Sequence, residues 1–481
     1  MASLSMLRFL FLAIFFVGIT ATTSTNDIKA IYWLEQPLFP PSAINTSLFT
    51  HVYYAFLAPN NVTYELDVVS NSTGTNLATF TNTLRSNVAT LISIGGANSN
   101  STLFSLIAAN AAARATFINS TITVARTFGF NGIDLDWEFP RTVNEMNDLG
   151  LLFKEWRAAV SAEAAATGRE PLLLTAAVYF SVDYFLSETT SLRYPVDSIN
   201  ENLDWVNVMS YDLNGPWSNH TGPPAGLFDP KNNASVSYGL GSWIRGGVIP
   251  KKVVMGLPLY GRTWQLLEPN VHGIGAPASG PGPGSNGAMA LFQVLEFNNE
   301  TGANVVCDKE TASVYSYSGS YWVGYDDPKT VAVKVGFAQA LSLHGYFFWA
   351  AGLDTSDWKI STQEIQAIST HDDKSGISPV TSIRGFWFDN LSMESSNSSF
   401  FLLNIEIRFS RAGTNRKREI ELPVRREEST SEEVIGGAAF LLGRGIFANC
   451  EIKSLRDPIE SIRKPSEIVK ESRNPIHRGR G

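Results

Sequence analysis

Short apolar runs recur along this chain, with longer stretches of helical periodicity between them. Eight runs read as strands: Ala30–Leu34, His51–Phe56, Ala89–Ile94, Gly132–Trp137, Leu172–Val178, Asp204–Met209, Val253–Leu257 and Tyr346–Trp349. They are short and rich in β-branched and aromatic residues, as strands buried on both faces are. Segments such as Ser101–Phe128 and Asn144–Ala166 carry the period of helices. Strands alternating with helices predict a parallel sheet, and eight such units predict a closed (β/α)8 TIM barrel of the α/β class. An open doubly wound sheet is the competing architecture. It usually carries a Gly-rich phosphate loop after its first strand, and none is present.

Two regions break the alternation. Residues 262–334 hold Gly/Pro-rich turns over Gly273–Gly287 and strand-like pieces at Ser313–Tyr317 and Tyr321–Tyr325. A loop of this length without structure is uncommon, so a small α+β insertion is expected between strands seven and eight. The barrel pattern, taken as residues 26–370, then stops. Of the 37 Lys/Arg and 45 Asp/Glu, residues 371–481 hold 18 and 16, which leaves a body near −10 and a tail near +2. Runs such as Arg416-Lys417-Arg418 read as solvated, so the C-terminal tail is expected to be weakly structured.

The net charge of −8 does not suggest a nucleic-acid partner. Residues 1–25 read as a secretory signal: Arg8 precedes the apolar run Phe9–Ile19, and small residues follow at Thr20–Thr23. That run is too short to span a bilayer and no later one is longer, so no membrane span is expected. Secretion is expected, with the vacuole as another destination of the same route. Asn-x-Ser/Thr sequons fit that route, at Asn45, Asn61, Asn71, Asn100, Asn119, Asn219, Asn233, Asn299, Asn390 and Asn397. Two cysteines, Cys307 and Cys450, make no disulfide framework. The histidines have no spacing suited to zinc, and His344 reads as structural.

The chemistry concentrates in Asn131-Gly132-Ile133-Asp134-Leu135-Asp136-Trp137-Glu138. Side chains alternate across a strand, so Asp134, Asp136 and Glu138 share one face while Ile133, Leu135 and Trp137 share the other. Three carboxylates this close cannot all ionise cheaply, and at least one pKa should rise. Glu138, the last, is then a natural proton donor near neutral pH. A metal-binding acid cluster or a solvated edge strand is the structural alternative.

This octet resembles the signature of glycoside hydrolase family 18, the chitinases, with Asn131 where an Asp is common. Other segments resemble the family pattern at successive strand ends: Tyr53-Tyr54-Ala55-Phe56, Ser93-Ile94-Gly95-Gly96, Met209-Ser210-Tyr211-Asp212 with Trp217 behind it, Leu257-Pro258-Leu259-Tyr260-Gly261-Arg262, and Trp349. The likeness spans about residues 27–365, and the chain resembles plant class V enzymes, which carry an insertion at the same point. It implies hydrolysis of chitin or N-acetylglucosamine oligosaccharides by a retaining, substrate-assisted reaction, with no cofactor and no metal, by a monomer. The catalytic group it implies is Glu138, Asp136, Asp134 and Tyr211. The implied substrate-binding residues are Tyr54, Phe56, Gly95, Gly96, Met209, Asp212, Trp217, Tyr260, Arg262 and Trp349. Trp33 suits either sugar stacking or barrel packing. A lectin or glycosidase inhibitor on the same barrel is the rival; such proteins commonly lose one of the acids kept here.

Overall fold

The computed structural model describes residues 27–362 apart from 36–38, 69–70, 188 and 232, together with the backbone of 400–411 and 414–425. The first strands are β1 (Ile28–Leu34), β2 (His51–Leu57), β3 (Ala89–Gly95), β4 (Gly132–Asp136) and β5 (Leu173–Val178). A small hairpin of β6 (Asp183–Phe185) and β7 (Ser191–Arg193) precedes β8 (Trp205–Val208) and β9 (Val253–Pro258). After an insertion comes β16 (Gly345–Ala351). Eight of these strands close a ring in the order β1-β16-β9-β8-β5-β4-β3-β2, with every pairing parallel. This is the (β/α)8 barrel expected from the alternation of runs.

The helices between strands are α1 (Asn71–Leu84), α2 (Ser101–Ala109), α3 (Ala111–Phe128), α4 (Val143–Thr167), α5 (Val196–Asn202) and α6 (Val236–Arg245). Ser101–Phe128 was expected as one helical segment and is two, bent by 112°. Asn110 is the reason. It ends α2, and its carboxamide oxygen accepts from the Ala112 and Ala113 amides at the start of α3. The longest helix, α4, starts on Thr142, whose hydroxyl accepts from the Glu145 amide, and ends at Gly168 in the left-handed conformation. Among the described residues no single helix is long and apolar enough to cross a membrane.

Alternation sorts the barrel side chains into two layers. Ala30, Tyr32, Tyr53, Ala55, Trp205 and Phe347 fill the interior. Ile31, Trp33, Val52 and Tyr54 join the layer beneath the helices. Trp33 is therefore packing: its ring lies 5.3 Å from Phe80 and its indole N–H donates to the Phe39 carbonyl at 2.9 Å. His344 precedes β16 and stands edge-on to Trp205.

The insertion is a sheet rooted directly in the barrel. β10 (Tyr260–Leu266) follows β9 after one residue, Leu259. It pairs with β11 (Ala278–Pro281), β12 (Ala288–Ala290) and β15 (Tyr321–Tyr325). Helix α7 (Leu291–Thr301) and strands β13 (Asn304–Asp308) and β14 (Ser313–Ser318) complete it. Trp264 and Trp322, both fully buried, meet edge to face at 5.2 Å in its core. The residue 334 taken as its end in the sequence lies inside α8 (Pro328–Ala340), which packs against β16.

In the tail, β17 (Phe400–Arg411) and β18 (Thr414–Arg425) form an antiparallel pair in continuous register from Phe400↔Arg425 to Arg411↔Thr414. These residues were expected to be weakly structured. Their strand signal is the apolar alternation Leu403, Ile405, Ile407 and Ile420, Leu422, Val424, which the charge density concealed. Residues 1–25, expected from the sequence to be a secretory signal, and Cys450, Asn390 and Asn397 lie outside the described residues.

The start of α8 holds a fully buried ion pair. Lys334 Nζ donates to both Asp326 oxygens at 2.5 Å, and Thr330 donates to one of them at 2.9 Å. Removing one partner strands a buried charge, which costs about 3–5 kcal/mol. Lys334→Met should lose stability on that scale in urea denaturation, while the Asp326→Leu/Lys334→Met double variant should lose much less.

Candidate active site

The site forms at the C-terminal mouth of the barrel, where β4 delivers its acids. Asp134 lies within the interior and is completely buried. Four donors surround it: Tyr32 (2.9 Å) and Ser93 (2.7 Å) on Oδ2, Thr175 (2.6 Å) and Asn207 (3.2 Å) on Oδ1. Burial still wins, and its pKa is raised, with the four hydrogen bonds opposing the rise. One rung higher, Asp136 is 3% exposed, and its Oδ1 has no hydrogen-bond partner among the described residues. Burial first, then the neighbouring Glu138 and Asp134, hold its pKa well above the usual carboxylate range.

Glu138 lies just past the strand and is half-buried at the cavity wall. Desolvation, then the charge of Asp212, push its pKa up to about 7. Such a group carries a proton through much of the neutral range and can still lose it.

The pocket above is a cavity of about 1270 Å³. Of the residues named from sequence, Asp136, Glu138, Tyr211, Phe56, Gly95, Met209, Asp212, Trp217, Tyr260, Arg262 and Trp349 line it. Asp134 lies beneath, one strand step below Asp136. Gly96 stands behind Phe56, where a Cβ would come within 2.5 Å of the ring. Tyr54 is not brought to the pocket. It faces the helix layer, packs 5.3 Å from Phe80, and donates its hydroxyl proton to Glu35. Of the adjacent tyrosines it is Tyr53 that faces inward, stacked on Tyr32 at 4.4 Å.

Backbone geometry supports these placements. Gly95 has φ +119°, and a Cβ there would collide with the Asp136 carbonyl at 2.1 Å. Gly256 leaves room for the Tyr211 ring, which a Cβ would approach to 2.7 Å. Phe56 and Trp349 stack at 5.7 Å to form one wall. Arg262 grips Asp212 with two bonds of 2.7 and 2.6 Å, its guanidinium 5.2 Å from both the Trp217 and Tyr260 rings. The insertion thereby supplies a cation to the rim, together with Met289 and Gln293.

Sequence reasoning missed Tyr32, Thr175 and Asn207. Each is a polar side chain on the inward phase of an otherwise apolar strand, and that phase was the available signal. It also missed the aromatic wall beside Glu138, where Phe139 lies 5.4 Å from Tyr179 and 5.1 Å from Tyr184. Among the described residues no group of three His, Cys, Asp or Glu side chains is arranged to hold a metal ion.

A parallel barrel with stacked acids at the end of its fourth strand defines a class of glycoside hydrolase. Residues 16–354 match the family described as Glycosyl hydrolases family 18, and the chain belongs to that family. It is 67% identical over 345 residues to Nod factor hydrolase protein 1 of Medicago truncatula, covering 70% of this chain and 89% of that protein. A class V chitinase of the same plant is 62% identical over 347 residues, covering 72% and 91%. The crystal structure of a mutant class V chitinase from Nicotiana tobaccum in complex with NAG4 superposes with a TM-score of 0.67 at 39% identity, covering 71% of this chain and 98% of that one.

The raised pKa of Glu138 has a stability consequence with a definite sign. Below its ordinary value of 4.5 the group is neutral both folded and unfolded, and its contribution is fully present. As pH rises from there through about 7, the unfolded chain ionises more readily and that contribution is lost. Glu138→Gln should therefore stabilise the fold at pH 8, by up to about 3 kcal/mol, and have little effect at pH 4. Paired urea denaturation curves at the two pH values check this.

Proposed function

We propose that this protein is a secreted, monomeric class V chitinase that cuts β-1,4-linked N-acetylglucosamine chains with retention of anomeric configuration. The observation that carries the mechanism is Asp136: a buried carboxyl group whose Oδ1 has no hydrogen-bond partner among the described residues, one strand step from Glu138, whose pKa is pushed up to about 7. An unpartnered buried acceptor is costly and calls for a donor. The N–H of a substrate acetamido group is a donor of the right kind.

In this reading Glu138 protonates the glycosidic oxygen, and the bond from that oxygen to the anomeric carbon breaks. The acetamido carbonyl oxygen of the same sugar attacks the anomeric carbon, forming an oxazolinium ion. No enzyme nucleophile is needed, as in other substrate-assisted hydrolases. Asp136 accepts the acetamido N–H and balances the positive charge. Asp134, held by its four donors, shares the proton load with Asp136 and so tunes Glu138. The Tyr211 hydroxyl donates to the acetamido oxygen and aims it. Trp349, backed by Phe56, lies against the distorted ring, while Met209, Asp212, Arg262, Tyr260 and Trp217 position neighbouring sugars. Glu138 then takes a proton from a water that attacks the anomeric carbon from the face the leaving group left; the carbon–oxygen bond of the oxazolinium breaks, the acetamido group is restored and the configuration is retained.

Secretion rests on the basic and apolar character of residues 1–25 and on the sequons. The 67% identity to a protein named Nod factor hydrolase protein 1 supports Nod factors as natural substrates beside the polymer. A role in defence against chitin-containing organisms is compatible with either substrate.

Glu138→Gln should abolish nearly all hydrolysis of the N-acetylglucosamine hexamer while the oligosaccharide still binds. Product sizes and anomers followed by chromatography read both, and full residual activity would refute the assignment. Binding without cleavage by the unmutated protein would instead mean a lectin. Two further results follow from the chemistry. Fully deacetylated chitosan should not be cleaved, since it lacks the internal nucleophile. The rate on the hexamer should fall as pH rises through about 7, where Glu138 loses its proton, and that limb should move to lower pH in Asp212→Asn, which removes a charge that raises Glu138.

A further inference from the structure

The sequons are not scattered evenly over the fold. Four of the eight within the barrel, Asn61, Asn100, Asn219 and Asn233, fall between the C-terminal end of a barrel strand and the end of the loop that leads into the next helix, and Asn71 is the first residue of α1. Those are the loops that surround the site. Asn119 and Asn299 lie inside helices, and Asn45 lies between β1 and β2. Asn233 goes furthest: it is exposed and stands at the edge of the cavity itself, in the loop that also carries the exposed Trp217 and Asn219.

We infer that Asn233 is N-glycosylated and that its glycan stands at the mouth of the cleft, holding the site off packed chitin while leaving it open to soluble oligosaccharides. This rests on the secretory route proposed above. In the transfer, the Asn233 carboxamide nitrogen bonds to the anomeric carbon of a lipid-diphosphate-linked oligosaccharide. The bond from that carbon to the diphosphate oxygen breaks, the lipid diphosphate leaves, and the amide loses one proton. An N-glycan is bulky and strongly hydrated. Packed polymer must meet the whole rim of the cleft, including Trp217, to present one chain to Glu138. A glycan rooted at Asn233 occupies that contact plane. A single oligosaccharide enters from solution and needs only the cleft.

The full chain, secreted from a glycosylating eukaryotic host, tests this. Glycopeptide mass spectrometry reads occupancy at Asn233. Retention on insoluble chitin beads and hydrolysis of soluble hexamer are then compared for the unmutated protein, Asn233→Gln and Asn299→Gln. The expected result is an occupied Asn233 and several-fold greater bead retention for Asn233→Gln, with hexamer hydrolysis and thermal melting unchanged and Asn299→Gln like the parent. An unmodified Asn233 in the secreted chain overturns the inference. So does an occupied site whose removal leaves retention unaltered in a protein that melts normally. Failure of every protein to cleave the hexamer would count against the catalytic reading alone, because occupancy and retention do not depend on hydrolysis.

Discussion

The organisation of the site depends on one constraint: Asp134 is a carboxylate in a barrel interior, and something must hold it there. Burial of a charge with no partners is expensive enough that the group would neutralise or the strand would shift. Tyr32, Ser93, Thr175 and Asn207 converge on its two oxygens from β1, β3, β5 and β8. Four strands are thereby tied to the fourth at one level of the barrel. Tyr32 is further held by stacking on Tyr53 and by a bond from Asn207 at 2.9 Å. Everything above that level inherits its position.

The electrostatic gradient along β4 follows from the same arrangement. Asp134 is buried but richly hydrogen-bonded, Asp136 is buried and short of a partner, and Glu138 is at the cavity wall with Asp212 nearby. Three chemically similar groups thus receive three different environments within five residues. Arg262 adds a counter-charge on the far side of Asp212, so the insertion contributes to the electrostatics of the mouth although the carboxylates belong to the barrel.

Much of this was legible in the chain. Parallel strands buried on both faces are continuous apolar runs, so all eight barrel strands stood out, and the acids betrayed their shared face by alternation. What was less legible had physical reasons. In the Tyr53-Tyr54 pair both residues are large and aromatic, so composition could not fix which one points inward; the pairing of Tyr53 with Tyr32 in the β1–β2 register decides it. Thr175 and Asn207 are neutral and sit singly in apolar strands, where they read as tolerated rather than required. The break at Asn110 was hidden because apolar spacing resumes at once on its far side. Family resemblance supplied Trp217, in the loop after β8, and Arg262, in β10, which no periodicity marks.

The closing of the ring has a consequence for how the chain must fold. β16 lies between β1 and β9, so the first and last barrel strands are neighbours across more than three hundred residues, from Ile28↔Gly345 onward. Until residue 351 is available, β1 and β9 each present an unpaired edge, the kind of surface on which chains aggregate. Contacts of such long sequence separation are made late, because their loop entropy is lost before they yield any stabilisation. The β10–β15 sheet, whose widest pairing, Arg262↔Gly324, spans far less of the chain than Ile28↔Gly345, can assemble while those edges wait. Vectorial synthesis therefore leaves an open, sticky barrel whose most exposed seam is sealed by its last strand, and the nascent chain is most exposed to misassembly just before that strand arrives.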